Sequence, residues 1–190
     1  MFFRKEGGYA SKRYTGRSSY TYIERMMRSS RKLMIVSPFV DAYYAEFLRN
    51  ISHGREIMLL SSSMDHRAAK ILGRRSRPFA FISIAALLVI LDAAEFYVNI
   101  LTVASVLATI FLVFVFAVFL LRGKGSVMLR RPGSFVHMKL YISEKEAIQG
   151  SANLTYSGMH RNVEHIEVIH DPEVIDQLRN DFLRLWRDAT

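Results

Sequence analysis

Cysteine is absent from the 190 residues, tryptophan occurs once and proline four times. Without thiols there is no disulfide scaffold, no thiolate zinc site and no cysteine nucleophile. Charge is missing from one long stretch. Across Pro78 to Leu121, 44 residues, the only Asp, Glu, Lys or Arg are Asp92 and Glu95. A water-soluble domain of this size has no use for such a block, which excludes an ordinary cytosolic globule. The amino-terminal MFFRKE has no apolar core long enough for a secretory signal, so the block reads as a permanent membrane element.

What is present is a strong basic bias at one end. Residues 1–77 hold 16 Lys+Arg against 6 Asp+Glu, a balance of +10, whereas residues 122–190 hold 10 against 9. The +10 segment predicts an anionic partner, either nucleic acid or the headgroups of an acidic leaflet.

Residues 96–121 are uncharged, 26 in all, and long enough to span a bilayer. Residues 78–91 are short for a span alone but reach about 20 residues when continued toward Tyr97. The readings are a hairpin of two spans, or one span preceded by an interfacial helix. Arg74, Arg75 and Arg77 precede the block, Arg122 and Lys124 follow it, and the acidic pair lies between. The positive-inside bias then predicts an integral membrane hairpin over 78–121, with both termini and the remaining domain cytoplasmic. Asp92 and Glu95 read as turn residues, with paired intramembrane carboxylates as the rival.

Residues 1–19, with three Gly and three Ser among basic residues, read as a flexible basic arm. Residues 20–77 then alternate: helix over 20–30, a buried strand over 33–37, helix over 42–51, a strand over 56–61 and a helix over 64–72. Residues 122–190 predict strands over 126–129, 135–142, 147–149 and 163–169. Asp171-Pro172-Glu173 then opens a closing helix with an N-cap acid and proline in the first turn. Strands alternating with helices on both sides of the apolar block predict one α/β domain with the membrane hairpin inserted in its middle.

The chemistry concentrates in FVHMKLYISEKEAIQGSANLT. His137 and Lys139 are two apart on a strand-like run, which points their side chains the same way. Gly150-Ser151-Ala152-Asn153 follows where a second strand ends in a turn. Imidazole, ammonium, hydroxyl, carboxamide and glycine-freed backbone N–H groups together make a phosphate receptor that contains a nucleophile. His53, His66, His160, His165 and His170 show no ligand spacing, and Tyr141 and Tyr156 read as packing residues.

At these positions the sequence resembles the phospholipase D superfamily, whose signature is His-x-Lys-x4-Asp followed by Gly-Ser-x-Asn. His137, Lys139, Gly150, Ser151 and Asn153 match it, and Asn162-Val163-Glu164 matches the downstream Asn-x-Glu of the small single-motif members. Glu144 stands where the signature has Asp, and the gap to Gly150 is one residue shorter than usual. The resemblance implies a mixed β-sheet flanked by helices, with His137 attacking a phosphodiester to form a phosphohistidine. It implies that Lys139, Asn153, Ser151 and Gly150 hold the phosphate, that Glu164 orients His137, and that Glu144 and Asn162 support the site. It also implies a homodimer with one shared active site, the second imidazole coming from the twofold-related chain, and no metal or cofactor.

Three functions compete on this basis. The first is a membrane-anchored enzyme that hydrolyses or exchanges phospholipid headgroups. The second is a membrane-tethered endonuclease, for which +10 suits a phosphate backbone. The third is an inactive phosphate-binding scaffold. The cytoplasmic site predicted by the topology favours phospholipid, and the His137, Lys139, Asn153 and Glu164 set argues against an inactive scaffold.

Overall fold

The computed structural model describes residues 11–73, 107, 109–115 and 126–190. Residues 11–73 and 126–190 belong to one compact unit, and residues 74–124 form a second. The first unit is built on a seven-stranded sheet. In chain order its strands are β1 (Ser11–Gly16), β2 (Lys32–Val36), β4 (Glu56–Leu60), β6 (Ser126–Arg130), β7 (Leu140–Ile142), β8 (Ala147–Gly150) and β9 (Glu164–Ile169), in spatial order β1-β9-β8-β7-β2-β4-β6. β2, β4 and β6 run parallel, while β7, β8, β9 and β1 are antiparallel to their neighbours. Strands from both sides of residues 74–125 therefore share one sheet. Two short strands, β3 (Phe39–Val40) and β5 (Ser63–Met64), pair beside it.

Period-two burial explains how both faces are covered. Leu33 and Ile35 of β2 join Ile57 and Leu59 of β4 in a core under α1 (Tyr20–Ser29) and α2 (Ala42–Ile51). Val36, Met58 and Leu60 join a second core under α4 (Pro172–Arg187). α1 turns Ile23, Met26 and Met27 inward, and α4 turns Ile175, Leu178 and Phe182. Asp171 caps α4 as its spacing predicts, accepting from the backbone N–H groups of Glu173 and Val174 at 2.9 and 3.3 Å. The result is a mixed α/β fold, a sheet flanked by helices.

Three expectations are corrected. Residues 11–16 of the expected arm form β1, an edge strand in register with β9 from Ser11↔Ile169 to Gly16↔Glu164. Tyr14 anchors it, its ring 4.0 Å from that of Tyr22, while Lys12 and Arg13 supply the charge typical of a sheet edge. Helix α3 (His66–Gly73) starts two residues later than its periodicity suggests, because Asp65 caps it and Met64 is spent in β5. The strand expected over 135–142 has only Leu140–Ile142 in the ladder. Val136 there pairs with Ser62 instead, donating its N–H to the hydroxyl at 2.9 Å.

Residues 1–10 and most of the expected hairpin over 78–121 lie outside the described residues. Within it, residues 107 and 109–115 are helical. Among the described residues no helix is long and apolar enough to cross a membrane.

Candidate active site

The start of β7, the end of β8 and the start of β9 meet where the parallel strands β2 and β4 finish. Val36 at the end of β2 pairs with Leu140, and Leu140 pairs with Gln149. In sheets with parallel strands, the carboxyl ends are where loops diverge and a ligand crevice opens. Here the loops are tied down. Ser37 Oγ donates to Phe39 O at 2.8 Å and accepts from the Leu154 N–H at 2.9 Å. Asp41 caps α2 through Tyr44 and also accepts from the Tyr156 N–H at 2.6 Å.

His137 and Lys139 lie on the extended segment entering β7, and their side chains meet. Lys139 is 6% exposed. Its Nζ lies 3.2 Å from His137 Nδ1, 3.0 Å from Nε2, and donates to the His137 carbonyl at 3.0 Å. Burial holds the Lys139 ammonium below the ordinary lysine range, and the charge of Glu164 acts against that shift. His137 itself is exposed, at the mouth of a groove of about 740 Å³.

Glu164, 6% exposed, opens β9 behind the lysine. One carboxylate oxygen accepts the Ser151 hydroxyl, and the other accepts Asn162 Nδ2 at 3.1 Å. Among the described residues it shares no hydrogen bond with His137, so the orienting contact expected of it is not made within one chain. Its observed neighbours make it the counter-charge of the buried ammonium and the anchor of the Gly-Ser-x-Asn turn. Ser151 is correspondingly occupied, its backbone and hydroxyl both engaging His165 of β9 as well.

Gly150 is dictated by the ladder. A Cβ there would sit 2.1 Å from the His165 carbonyl oxygen and 2.9 Å from Ile166 Cα. Asn153 holds a buried Oδ1 that has no hydrogen-bond partner among the described residues. Such an orphan is costly unless something else engages it. Gly158, in a π-helical turn (Ser157–Arg161), lets that turn close on the Asn153 backbone, since a Cβ would lie 2.7 Å from Asn153 O. Tyr141 lies fully buried beneath, donating to Ala152 O at 2.8 Å. Burial first, then Glu164, keep its hydroxyl protonated.

Glu144 stands apart, beyond the far end of β7. Its Oε1 accepts the backbone N–H groups of Arg31 and Lys32 at 2.9 and 2.7 Å, fixing the entry to β2. That is a structural support, and the longer side chain in place of Asp still reaches both amides.

Several groove residues carry no motif in the sequence. Arg13, Gln149, His165 and Glu167 line the same cavity as His137 and Lys139. A second polar cluster, Glu24, Tyr44 and His160, links α1, α2 and the π-helical turn; the Tyr44 hydroxyl lies 2.8 Å from Glu24 Oε1 and 3.2 Å from His160 Nε2. Burial first, then Glu24, raise the Tyr44 pKa.

Residues 116–186 match the family model described as cardiolipin synthase, PLD-like domain. No curated protein sequence matches the chain. Solved structures share the fold. NucT from Helicobacter pylori superposes with a TM-score of 0.60 at 11% identity, over 95% of this chain and 98% of that one. A phospholipase D family member, Nuc from Salmonella typhimurium, gives 0.54 at 14% identity, over 95% and 97%. Phosphatidylserine synthase from Haemophilus influenzae gives 0.50 at 10% identity, over 90% of this chain and 35% of that one. Residues 116–186 are thus similar to a PLD-like domain, and the seven-stranded mixed fold is one that these solved structures share.

Proposed function

We propose that the protein is a membrane-anchored phosphodiesterase of the phospholipase D type that acts on phospholipid headgroups. The observation that carries the reading is the buried Lys139 ammonium lying against both ring nitrogens of His137 at the mouth of the groove. When a phosphodiester enters, the ammonium can shift its donation from the imidazole to a non-bridging oxygen. That movement uncovers a nitrogen lone pair beside the phosphorus.

His137 then attacks. The N–P bond forms as the P–O bond to the leaving group breaks, and a second imidazole protonates the leaving oxygen. Water attacks the phosphohistidine, gives its proton to that second imidazole and releases His137; an alcohol in its place gives transfer. Lys139 and the Asn153 carboxamide hold the phosphate, while Gly150 and Ser151 shape the turn. Glu164 keeps the lysine charged, and Asn162 and Glu144 support the scaffold. The second imidazole comes from His137 of a twofold-related copy, which makes the functional unit a homodimer.

Two further observations support lipid and the membrane. Along the described helical stretch, Leu107, Ile110, Phe111, Leu112, Phe114 and Val115 are all exposed, so it is apolar around its circumference. Helices of that kind belong in hydrocarbon or a protein core. The family that matches residues 116–186 is described by a lipid synthase. A membrane-tethered nuclease is the second reading, supported by the +10 balance of residues 1–77. Assaying the detergent-purified chain side by side on labelled phospholipid and on single- and double-stranded nucleic acid separates the two. Headgroup release without nucleic-acid cleavage is the expected result, and the reverse overturns the substrate. Cysteines placed at Ala93 and Ser126 should label from opposite sides of intact membranes; labelling from one side defeats the hairpin.

A further inference from the structure

We propose that Phe135 and Phe39 form an apolar shelf beside His137 that takes the alcohol arm retained on phosphorus when the leaving group departs. The proposal rests on the phosphodiesterase reading above and narrows its substrate class to phosphodiesters whose retained arm is aliphatic.

The fold places both rings. Phe135 and His137 are two apart on the extended segment entering β7, and they line the same groove. Their ring centroids lie 6.1 Å apart, with the planes inclined by 30°. The Phe39 ring is 6.0 Å from that of Phe135, inclined by 54°. Phe39 comes from β3, where Val40 turns into the core and Phe39 therefore turns out of it. The two segments are tied to one another. Phe39 pairs with Ser63 of β5, the neighbouring Ser62 hydroxyl accepts the Val136 N–H at 2.9 Å, and the Ser63 N–H donates to Pro38 O at 2.8 Å. Both rings are thus held in place while Phe39 is 42% and Phe135 61% exposed. A single exposed phenylalanine needs no explanation. Two in contact, on pinned backbone beside a nucleophile, make an apolar surface within reach of the substrate.

In-line chemistry decides which part of the substrate arrives there. The lone pair of an imidazole nitrogen lies in the ring plane, so phosphorus approaches along that plane. The leaving oxygen then lies at the far end of the same line, and the retained arm projects sideways with the two non-bridging oxygens. The Lys139 ammonium, 3.0 Å from His137 Nε2, draws those oxygens and leaves the third sideways position to the arm. A nearly parallel ring beside the imidazole flanks the line of attack, so it meets the retained arm and not the leaving group. Neither phenylalanine ring carries an N–H or O–H, and their 54° tilt makes no parallel-walled slot for a flat base. An alkyl chain needs neither.

The test is kcat/KM of the full chain in detergent on p-nitrophenyl methyl, ethyl, propyl and butyl phosphates. The N–P bond to His137 forms as the P–O bond to p-nitrophenolate breaks, so the alkyl arm is the one retained. Anionic esters this short stay in water rather than in micelles. A methylene taken fully out of water is worth about fourfold, and one lying on an open shelf about twofold. The wild type should therefore favour the butyl over the methyl ester by about eightfold. Phe39→Ser should lower that ratio, and Phe39→Leu, which keeps apolar surface, should preserve most of it. Phe39→Ser combined with Phe135→Ser should bring it to within about twofold of unity. The ratio is read within each variant, so a general loss of rate does not enter it. A flat wild-type series, or a rise that survives in the double variant, overturns the shelf. Thymidine 5′-p-nitrophenyl phosphate preferred to the butyl ester by the wild type, with the preference lost in the double variant, makes the occupant a nucleobase and overturns the aliphatic assignment. Failure to turn over any of the esters sinks the phosphodiesterase reading, whereas equal turnover of all four alkyl esters sinks only the shelf.

Discussion

Replacing Lys139 by methionine separates the charge of the lysine from its packing. Methionine keeps most of the buried volume and its flexible thioether suits an irregular site. The Nζ contacts to both His137 nitrogens and to the His137 carbonyl vanish together. Two effects on stability oppose each other. The burial penalty that depresses the lysine's pKa disappears, but Glu164 loses the cation it faces. The unfolding midpoint should therefore move by only a few degrees, at about 2–4 °C per kcal/mol for a chain of this size. The proposed reaction has no such cancellation, because in it the ammonium is the positioned cation for the non-bridging oxygens. Removing one preorganised donor of that kind costs about 10²–10³ in rate, or ~3–4 kcal/mol. The assay is turnover of bis(p-nitrophenyl) phosphate with a melting curve on the same preparation. A folded Lys139→Met chain within about tenfold of wild type would refute the role given to the ammonium.

Other outcomes follow from the same geometry. If phosphate binding uses the charged lysine as proposed, whose pKa lies below its ordinary value, the alkaline limb of kcat/KM should fall below the ~10.4 of a free lysine; a limb at or above that value contradicts the buried ammonium. Gly150→Ala drives a Cβ into the His165 carbonyl, so it should cost about 3 kcal/mol and lower the midpoint by roughly 6–12 °C. A melting curve unchanged by that substitution would contradict the close approach of β8 and β9. Mixing wild-type chains with His137→Ala chains should lower activity in step with the heterodimer fraction, and a fully active monomer isolated at dilution would dispose of the shared site.

Much of this architecture is written locally. The Asp171-Pro172-Glu173 start of α4 and the apolar runs of β2 and β4 need no distant information, and each forms within a residue or two of its expected place. His137, Lys139, Gly150, Ser151 and Asn153 are legible because their chemistry lies within 17 residues of sequence. What escaped depends on distant partners. β1 carries little apolar alternation, and its pairing is set by β9, some 150 residues away. The Arg13–Glu167 pair spans the same distance, and neither residue belongs to a motif. Residues 135–139 read as strand because they alternate, yet the hydrogen bond of Val136 goes to Ser62 rather than into a ladder. The partnership of Glu164 was legible in type but not in target. The resemblance implied an acid at the site, and only the fold shows that Ser151 and Asn162 occupy it.

The central claim is that His137 becomes covalently phosphorylated during turnover. Quenching the enzyme in the steady state with a substrate labelled at phosphorus, then mapping the label, tests it most directly. Acid-labile, base-stable phosphate on His137, absent from a folded His137→Ala chain that no longer turns over, is the expected result. Normal turnover by His137→Ala, or label on another residue, would contradict the mechanism.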